Sequence, residues 1–574
     1  MKLFYRIYNN HLMRPVLRQW PIFLVWIVLV GWSSLLQNPF YRWFVIFLHA
    51  YVVACLAMNK ATKCVCYALT FMLFLIETTL EACYGLAISP STLLLLVETN
   101  PKETAEFFDT IVRKPAFWSV ILLFFLFAGM ACWAESVRNR GAQWLSRPKT
   151  YRVLQGVTAV FLLVGLLCSE CYVRLFQCKT MDEVSRWNLQ MRHPSDAATR
   201  VVIAFFDTHL AARETEKAIN CTMGVRQSDA VTDDSLNVVF VIGESFIRSH
   251  SPLYGYTLNT TPFMLSEKRQ GRLFVFSDVV SPYNITTMAV RNIISCNAMS
   301  DGKRWSDAPP LTAVFRSNGF YVSMYDNQRL FSFASTQTYA LNYYLYNPAI
   351  IGKCYDETND RTFDWDGDLV DYYRHRSRPA ATHRLAIFHL MGQHFKCNLR
   401  YPTKDSRFSR FTADSILRDE PWMTERKKEE IAQYDNATLY NDYVIQKIVQ
   451  IYGHENTVLV YLSDHGEEIY DYRDSSGRVL GDDLGCYLDY QFGVPFIVWC
   501  SDRYLELHPE MAEHLRNAED SPSMTDNTCQ LLFHLAGLYG TPYYRVEHDV
   551  LTEEYRCGQR ILNDCWDYDK VKKH

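Results

Sequence analysis

The sequence has little excess charge of either sign. Its 58 Lys and Arg residues nearly balance 62 Asp and Glu residues, so the formal net charge is only −4 over 574 residues. A protein that holds nucleic acid by its phosphates normally shows a basic excess, because each phosphate contact needs a cation. We therefore expect no nucleic-acid or other polyanionic partner. Internal repeats and low-complexity tracts are also lacking, and a chain of this length suggests two or three structural units.

Long apolar runs are lacking after about Val173 but frequent before it. Each run is close to the roughly 20 residues that cross the hydrocarbon core of a bilayer, although the second is short and the third contains Glu77 and Glu81. The runs lie at 20–36, 43–58, 64–84, 117–133 and 153–173. They predict a five-helix transmembrane domain over residues 1–175. The alternative, the core of a soluble protein, would need five such helices in succession.

The basic residues that flank these runs predict the orientation of the chain. They cluster before the first run, between the second and third, and between the fourth and fifth, which places those segments in the cytoplasm. No small-residue cleavage site follows the first run, so we interpret it as a retained anchor and not a signal peptide. With five spans, the C-terminal part is exported. Residues 176–233 connect the two parts, either along the membrane surface or as a solvent-exposed helical linker.

The spacings of the 17 cysteines do not form a zinc cluster of the Cys-x-x-Cys type. Ten of them, from Cys178 onward, lie in the part that we predict to be exported, where disulfides persist. Cys557 and Cys565 are near enough in sequence to pair. The remaining connectivity cannot be read from the sequence.

Residues 234–574 alternate between β-strand and helical patterns, as in an α/β domain with a mostly parallel sheet. The apolar strand candidates are 238–242, 321–324, 385–388, 458–462 and 496–499. Four of them run directly into polar residues, at Glu244, at Asp326, at His389 and at Asp464. Because ligands bind outside the carboxyl ends of the strands in open α/β sheets, we expect these four ends to converge.

Two carboxylates and an imidazole follow two of these strands. Glu244, Asp464 and His465 form a set suited to zinc, with manganese or magnesium as weaker alternatives. Three protein ligands would leave a position for a nucleophile. The structural alternative is that each acid caps a following helix and that His465 is an ordinary surface histidine.

Two segments offer a hydroxyl nucleophile. Gly243-Glu-Ser245 resembles the start of a G-x-S-x-G elbow, but Ile247 stands where the second glycine is needed, so we discount a serine hydrolase. Thr286 and Thr287 follow the apolar stretch 273–276. A threonine hydroxyl is inert at its own pKa, and coordination to a dication favours its ionisation.

Taken together, these motifs resemble those of the phosphoethanolamine transferases. The resemblance covers essentially the whole chain, and each motif alone is weak whereas the combination is specific. The matching segments, in chain order, are Gly243-Glu244, Leu253-Tyr-Gly-Tyr256 to Thr261-Pro262, a threonine some forty residues beyond the glutamate, Asp326-Asn-Gln328, Gly392-Gln-His394 and Ser463-Asp-His-Gly-Glu467. The branch that modifies the lipopolysaccharide core is more similar than the lipid A branch of colistin resistance.

The resemblance implies a bacterial inner-membrane enzyme with five spans and an alkaline-phosphatase-like domain in the periplasm. It implies that Glu244, Thr286, Asp464 and His465 bind zinc and that Thr286, not Thr287, is the nucleophile, since counting from Phe276 places it on the family's threonine. The donor would be phosphatidylethanolamine, and the acceptor a lipopolysaccharide, at lipid A or core, or another membrane glycolipid. The protein would act as a monomer.

The same resemblance assigns the remaining site residues. His394 would contact the phosphoryl group or a second metal, and Asn327 and Gln328 the donor headgroup. The family commonly places a further histidine shortly before the last strand, where this sequence has Tyr490. A second zinc site is therefore in question, and Asp489 is the neighbouring residue that would substitute.

Three other functions fit parts of the sequence. A glycerol-phosphate transferase of lipoteichoic acid synthesis has the same five-span plan and a threonine nucleophile, although Asp326-Asn-Gln328 and the exported cysteines argue against it. A membrane-tethered sulfatase-like hydrolase would need a C/S-x-P-x-R sequence for its formylglycine, which the exported part lacks. A noncatalytic, membrane-tethered binding module would not need a metal at the strand ends.

Overall fold

A computed structural model of the chain describes residues 13–32, 40–57, 59–84, 88, 111–141, 160, 175–180, 183–184, 197–227, 235–329, 341, 344–376, 381–394, 396–478, 488–564 and 566–572. These residues divide into two compact units, Met1–Arg213 and Glu214–His574.

The first unit is helical. Its helices are α1 (Arg14–Arg18), α2 (Trp20–Trp32), α3 (Phe40–Leu56), α4 (Lys60–Tyr84), α5 (Pro115–Gly141) and the first part of α6 (Ala197–Met223). Among the described residues, 60–83 and 115–139 are long and apolar enough to cross a membrane, and 20–30 and 46–56 form shorter apolar helices. The first four predicted spans thus fall on α2 to α5. The fifth lies outside the described residues, save residue 160.

Glu77 interrupts the third apolar run, and the structure shows how this charge is accommodated. Its side chain is buried and pairs with Arg200 of α6, and it also accepts a hydrogen bond of 3.2 Å from the backbone N–H of Ile88. A buried charge is tolerated when it is paired in this way.

The second unit is built around a seven-stranded sheet. Its strands are β1 (Leu236–Gly243), β2 (Leu273–Phe276), β4 (Tyr321–Asp326), β5 (Glu357–Thr358), β6 (His383–His389), β7 (Thr457–Ser463) and β10 (Phe496–Cys500). They lie in the order β2-β10-β7-β1-β6-β4-β5, and among these described strands only β10 is antiparallel to its neighbours. All five predicted strand segments lie in this sheet, and the mostly parallel arrangement is confirmed.

Both faces of the sheet are covered, which explains why its strands are continuously apolar. Successive side chains of a strand point to opposite faces, and in β1 Phe240 belongs to one core whereas Val241 belongs to the other. Helices α8 (Thr286–Ile294), α9 (Leu311–Ser317) and α16 (Thr528–Leu535) contribute to the first core. Helices α11 (Asp366–Arg374) and α12 (Glu425–Tyr452) contribute to the second.

Shorter elements complete the unit. The remaining helices are α7 (Pro262–Arg269), α10 (Ile351–Cys354), α13 (Leu488–Phe492), α14 (Asp502–Leu507), α15 (Met511–Ala518) and α17 (Tyr568–Val571). Three two-stranded pairs join β3 (Val279–Val280) with β11 (Ser523–Met524), β8 (Glu468–Ile469) with β9 (Ser476–Gly477), and β12 (Ile561–Leu562) with β13 (Trp566–Asp567).

The strand register brings the polar strand ends together. Gly243 of β1 pairs with Ser463 of β7, and His389 of β6 pairs with both Ile242 of β1 and Asp326 of β4. The residues that follow these positions therefore leave the sheet side by side, as expected for the ligand edge of an open α/β sheet.

The described cysteines are present as free thiols. The predicted pairing of Cys557 with Cys565 falls on a residue outside the described range.

Candidate metal centre

Glu244 leaves the sheet directly after β1, and its position is fixed by the residues on either side. A side chain at Gly243 would overlap the ring of Tyr461, so only glycine lets β1 pack against β7 here. Ser245 has a left-handed backbone, with φ of 58°, which turns the chain sharply away from the strand. The carboxylate of Glu244 is thereby held at the strand end, fully buried.

Glu244, Asp464 and His465 form one cluster. One ligand atom from each of these fully buried residues lies within 4.8 Å of the others. His465 Nε2 lies 3.3 Å from Glu244 Oε1 and 3.2 Å from Asp464 Oδ2. The structure thus brings together the three residues that the sequence predicts as metal ligands.

The hydroxyl of Thr286 faces this cluster. Its Oγ1 donates to Glu244 Oε2 over 3.0 Å and lies 3.2 Å from His465 Nε2. Thr286 is the first residue of α8, and its side chain is 8% exposed. Partial positive charge at a helix N-terminus favours an anion at this place.

The pKa values of the two carboxyl groups in the cluster are shifted in opposite directions. Burial, followed by the charge of Glu244, raises the pKa of Asp464 to about 7. Burial also raises the pKa of Glu244, but the charge and hydrogen bond of His465 outweigh it, with smaller contributions from His394 and Arg478, so this pKa lies well below its ordinary value. Repulsion between neighbouring carboxylates has this effect, and a dication between them would let both ionise.

The protonation of His465 gives a second reason to place a cation here. Burial lowers its pKa, but the charge of Asp464 outweighs this and raises it, which favours a positive charge. Yet Nδ1 faces the carbonyl oxygen of Gly466 at 2.8 Å, and Nε2 lies 2.8 Å from Arg478 Nη1, which can only donate. The geometry therefore puts the proton on Nδ1 and leaves Nε2 with a lone pair. A metal ion bound by Nε2 uses this lone pair and supplies the positive charge that the surroundings favour.

Asp464 also retains unused acceptor capacity. Its Oδ1 accepts from the backbone N–H groups of Ser245 and His465 at 3.1 and 2.8 Å. Among the described residues, its buried Oδ2 accepts no hydrogen bond. A buried carboxylate oxygen without a donor is costly, and coordination to a metal would remove that cost. Two carboxylates and one imidazole suit zinc.

Ser245, which the sequence discounts as a nucleophile, supports the ligands. Its Oγ donates to Glu244 Oε1 over 2.7 Å, while its backbone N–H donates to Asp464. Partners of this kind orient metal ligands.

Gln328 and Asn327 follow β4 and are both buried. Gln328 Nε2 donates to Glu244 Oε2 over 3.0 Å and to the carbonyl of Leu390 over 2.8 Å. Asn327 Nδ2 donates to Asp366 Oδ1, and its Oδ1 accepts from the backbone N–H of Phe363. Gln328 thus contacts a predicted ligand, whereas the amide of Asn327 is engaged within the fold. Their contact with the donor headgroup stays a prediction.

His394 is partly buried in the loop after β6. The pKa of His394 is lowered, mainly by burial. The charge of Glu244 raises this pKa, whereas the charges of Arg400 and Arg478 lower it further. A lowered pKa favours the neutral imidazole. The contact of His394 with the phosphoryl group or a second metal stays a prediction.

Tyr490, at the position of the missing histidine, and Asp489, its predicted substitute, make other contacts. Tyr490 packs against an apolar cluster that contains Ile247 and Ile469, and Asp489 Oδ1 pairs with Arg248 Nη2 at 3.2 Å.

The charged residue that the sequence analysis missed is Arg478. It directly follows β9, a strand of two residues, and no apolar run precedes it. Sequence patterns that rely on strand ends therefore contain no signal for it.

Comparison with known families settles the class of the protein. The sulfatase family matches residues 236–526, which is just over half of the 574 residues. The chain belongs to the sulfatase family. The match begins with β1 and includes Glu244, Thr286, Asp464 and His465.

The phosphoethanolamine transferase EptC of Escherichia coli (strain K12) is 25% identical over 438 residues, which cover 74% of this chain and 72% of the relative. The resemblance to phosphoethanolamine transferases is thereby confirmed.

Two solved structures share the fold. The periplasmic domain of EptC from Escherichia coli, in a complex with Zn, gives a TM-score of 0.50 at 24% identity and covers 60% of this chain and 95% of that domain. The integral membrane protein lipooligosaccharide phosphoethanolamine transferase A from Neisseria meningitidis gives a TM-score of 0.55 at 17% identity. The match covers 92% of this chain and 98% of that protein's chain. The likeness at these identities is one of fold.

Proposed function

We propose that the protein is a zinc-dependent phosphoethanolamine transferase. The observation that carries this proposal is the hydroxyl of Thr286 at 3.0 Å from Glu244 and 3.2 Å from His465, in a chain similar to transferases of this kind. The donor is phosphatidylethanolamine. The acceptor is a lipopolysaccharide, at lipid A or core, or another membrane glycolipid.

The zinc ligands are Glu244, Asp464, His465 and the nucleophile Thr286. Zinc bound there supplies a Lewis acid that stabilises negative charge on phosphoryl oxygens and lowers the pKa of an adjacent hydroxyl. Ser245 and Gln328 hold the carboxylate of Glu244 from two sides, at 2.7 and 3.0 Å. The ligands are therefore oriented before substrate arrives, which saves the cost of ordering them.

The reaction proceeds in two displacements on phosphorus. Thr286 Oγ1 gives up its proton and attacks the phosphorus of phosphatidylethanolamine; the bond to the diacylglycerol oxygen breaks, and diacylglycerol leaves with the electron pair and takes up a proton. An oxygen of the acceptor glycolipid then loses its proton and attacks the same phosphorus. The bond to Thr286 breaks, and Thr286 Oγ1 regains a proton.

The helix that begins at Thr286 assists both displacements. The N-terminus of α8 carries partial positive charge, which stabilises negative charge on Oγ1 as it attacks and as it leaves. The effect is strongest in the first turn, where Thr286 lies.

We further propose that the second unit lies in the periplasm of a bacterial cell, attached to the inner membrane by the helices of the first unit. Both substrates are membrane lipids, so attachment raises the frequency with which the site meets their headgroups.

Metal analysis combined with a transfer assay tests the proposal. We expect the purified full chain to contain zinc and to release diacylglycerol from phosphatidylethanolamine in vesicles, with phosphatidylglycerol vesicles as the test of the glycerol-phosphate alternative. Replacing Glu244, Asp464 and His465 together with alanine should remove both zinc and transfer, because all three residues face the same site.

Asp442→Asn is the matched control. Asp442 is also fully buried, but it accepts from the backbone N–H groups of Phe263 and Met264 at the start of α7, away from the cluster. This variant should keep zinc. A wild-type chain without zinc, or a triple variant with undiminished zinc, would refute the proposal.

A further inference from the structure

The guanidinium of Arg478 lies beside the nucleophile. Its Nη1 is 2.8 Å from His465 Nε2, the atom that is also 3.2 Å from Thr286 Oγ1. The same Nη1 donates to the backbone carbonyl of Asn284 over 3.2 Å. A permanently charged donor and the threonine hydroxyl thus share one neighbour atom.

Glu467 orients this guanidinium. Its Oε2 accepts from Arg478 Nε at 3.0 Å, and the arginine side chain remains 26% exposed. An arginine fixed through Nε presents its terminal N–H groups as a fork, which matches two oxygens of a phosphoryl group. Partial exposure leaves this fork open to a ligand.

The contact between Arg478 and His465 cannot persist when a metal occupies the site. Nε2 has a single lone pair, which either accepts from the guanidinium or binds the metal. Metal binding therefore frees Nη1 of Arg478 from His465. Because Thr286 Oγ1 neighbours the same nitrogen, the freed N–H group is available to the oxygens of a group attached to Thr286.

We propose that Arg478 forms an anion-binding subsite that holds the non-bridging oxygens of the phosphoryl group on Thr286. This inference rests on the proposed function. Tyr490 cannot take that role, because its side chain packs into the apolar cluster around Ile247. The ligand class is a tetrahedral phosphate ester, and inorganic phosphate is its simplest probe.

Two effects of opposite sign follow from this arrangement. Removing the guanidinium should weaken phosphate binding, because a charge-assisted contact is lost. It should leave zinc binding intact or tighten it, because Arg478 no longer competes for His465 Nε2. A residue with a merely structural role would weaken both.

The test measures phosphate and zinc on the full-length protein. Isothermal titration of the zinc-loaded chain with inorganic phosphate should give a Kd for Arg478→Gln that is about 10-fold to 100-fold weaker than that of the wild type, the loss typical of one charge-assisted contact. Arg478→Lys should recover part of this loss, since it restores the charge without the fork. Zinc affinity, measured by competition with a chelator, should not fall in either variant.

Arg473→Gln is the matched control. Arg473 lies in the same β8–β9 segment with a comparable exposure of 28%, and it pairs with Glu468 at 3.0 Å. This variant should keep phosphate affinity within about threefold of the wild type, the scale of a change remote from the ligand.

Three results would overturn the inference: unchanged phosphate affinity in Arg478→Gln, loss of zinc together with phosphate in that variant, or no phosphate binding by the zinc-loaded wild type. None of these measurements requires transfer. A failure of the proposed function would appear instead as a wild-type chain that binds phosphate through Arg478 but releases no diacylglycerol.

Discussion

Outside the metal cluster, the chain also buries His250 between two carboxylates. Its Nδ1 lies 2.7 Å from Asp435 Oδ1 and its Nε2 lies 2.9 Å from Asp471 Oδ1. Burial lowers the pKa of His250, but the charges of Asp471 and Asp435 outweigh it and raise this pKa to about 10. A protonated His250 therefore ties the segment after β1 to α12 and to the loop that leads to Arg478.

This network predicts a pH dependence of stability. Because the folded pKa of His250 is raised from 6.5 to about 10, its contribution is complete below pH 6.5 and is lost as the pH rises through 10. We expect the urea midpoint, followed by tryptophan fluorescence, to fall across this window. In His250→Gln the fall should shrink, and the free energy of unfolding at neutral pH should drop by about 3–5 kcal/mol, because the buried carboxylate of Asp435 and the partly buried carboxylate of Asp471 lose their partner.

His454→Gln, which changes an exposed histidine, controls for the substitution itself. If His250→Gln retained the wild-type midpoint and the full fall between pH 6.5 and 10, the charged network would not contribute to stability.

At the residue scale, the position of a site residue can be predicted from the strand pattern when the residue directly follows a long strand. Glu244, Asp464 and His465 follow long apolar runs, so the rules for parallel sheets placed them together, and the structure confirms the cluster. Arg478 follows a strand of two residues, and its position depends on the tertiary fold of the β8–β9 segment. The contact of Gln328 with Glu244 likewise cannot be predicted from the sequence, because the sequence does not give the orientation of a side-chain amide.

The loop after β6 shows how closely neighbouring elements approach at the strand ends. Gly392 has φ of 44°, and a Cβ at this position would lie 2.7 Å from Glu244 O and 2.8 Å from Glu244 N. A side chain would therefore strain its own backbone and push against the backbone of a predicted zinc ligand.

Gly392→Ala should lower both stability and zinc affinity. We expect a loss of about 2–4 kcal/mol in the free energy of unfolding, since strain and overpacking add, and a zinc affinity reduced at least about tenfold, as for other disturbed ligand supports. Gly255→Ala is the control: its φ is 98°, but nothing lies within 4 Å of the added Cβ, so it should lose only about 1 kcal/mol. Equal effects of the two variants on zinc would contradict the close approach.

At the element scale, the long parallel strands were predictable and the short ones were not. Five apolar segments became strands of one sheet because burial on both faces demands continuous apolar sequence. The apolar stretch 273–276 does not by itself indicate that β2 joins the sheet, since its antiparallel pairing with β10 is a long-range contact. Strands of two residues, such as β5 and β8, carry too few side chains for a periodic signal.

On the scale of the whole molecule, the chain joins a helical unit to an α/β unit that has its own core. A unit with an independent core is expected to fold alone. Hydropathy predicts a transmembrane part over residues 1–175 and an exported domain over residues 234–574, and helices α2 to α5 coincide with four of the five predicted spans. Which side of the membrane each unit faces stays a prediction.

A fragment that spans Glu214–His574 should separate folding from membrane attachment. We expect it to fold, to bind zinc as the full chain does, and to react with a short-chain, water-soluble phosphatidylethanolamine. Its reaction with vesicle lipid should be at least about 100-fold slower, because attachment no longer holds the site near the lipid headgroups. Equal rates of fragment and full chain on vesicles would show that the helical unit makes no such contribution.

The central claim is that the phosphoethanolamine group waits on Thr286, and mass spectrometry tests it most directly. After incubation of the full chain with phosphatidylethanolamine and no acceptor, we predict an adduct of the mass of phosphoethanolamine that peptide mapping places on Thr286. Thr286→Ala should show no adduct, whereas Thr287→Ala and Ser245→Ala should keep some. An adduct on another residue, or transfer that continues in Thr286→Ala, would contradict the account.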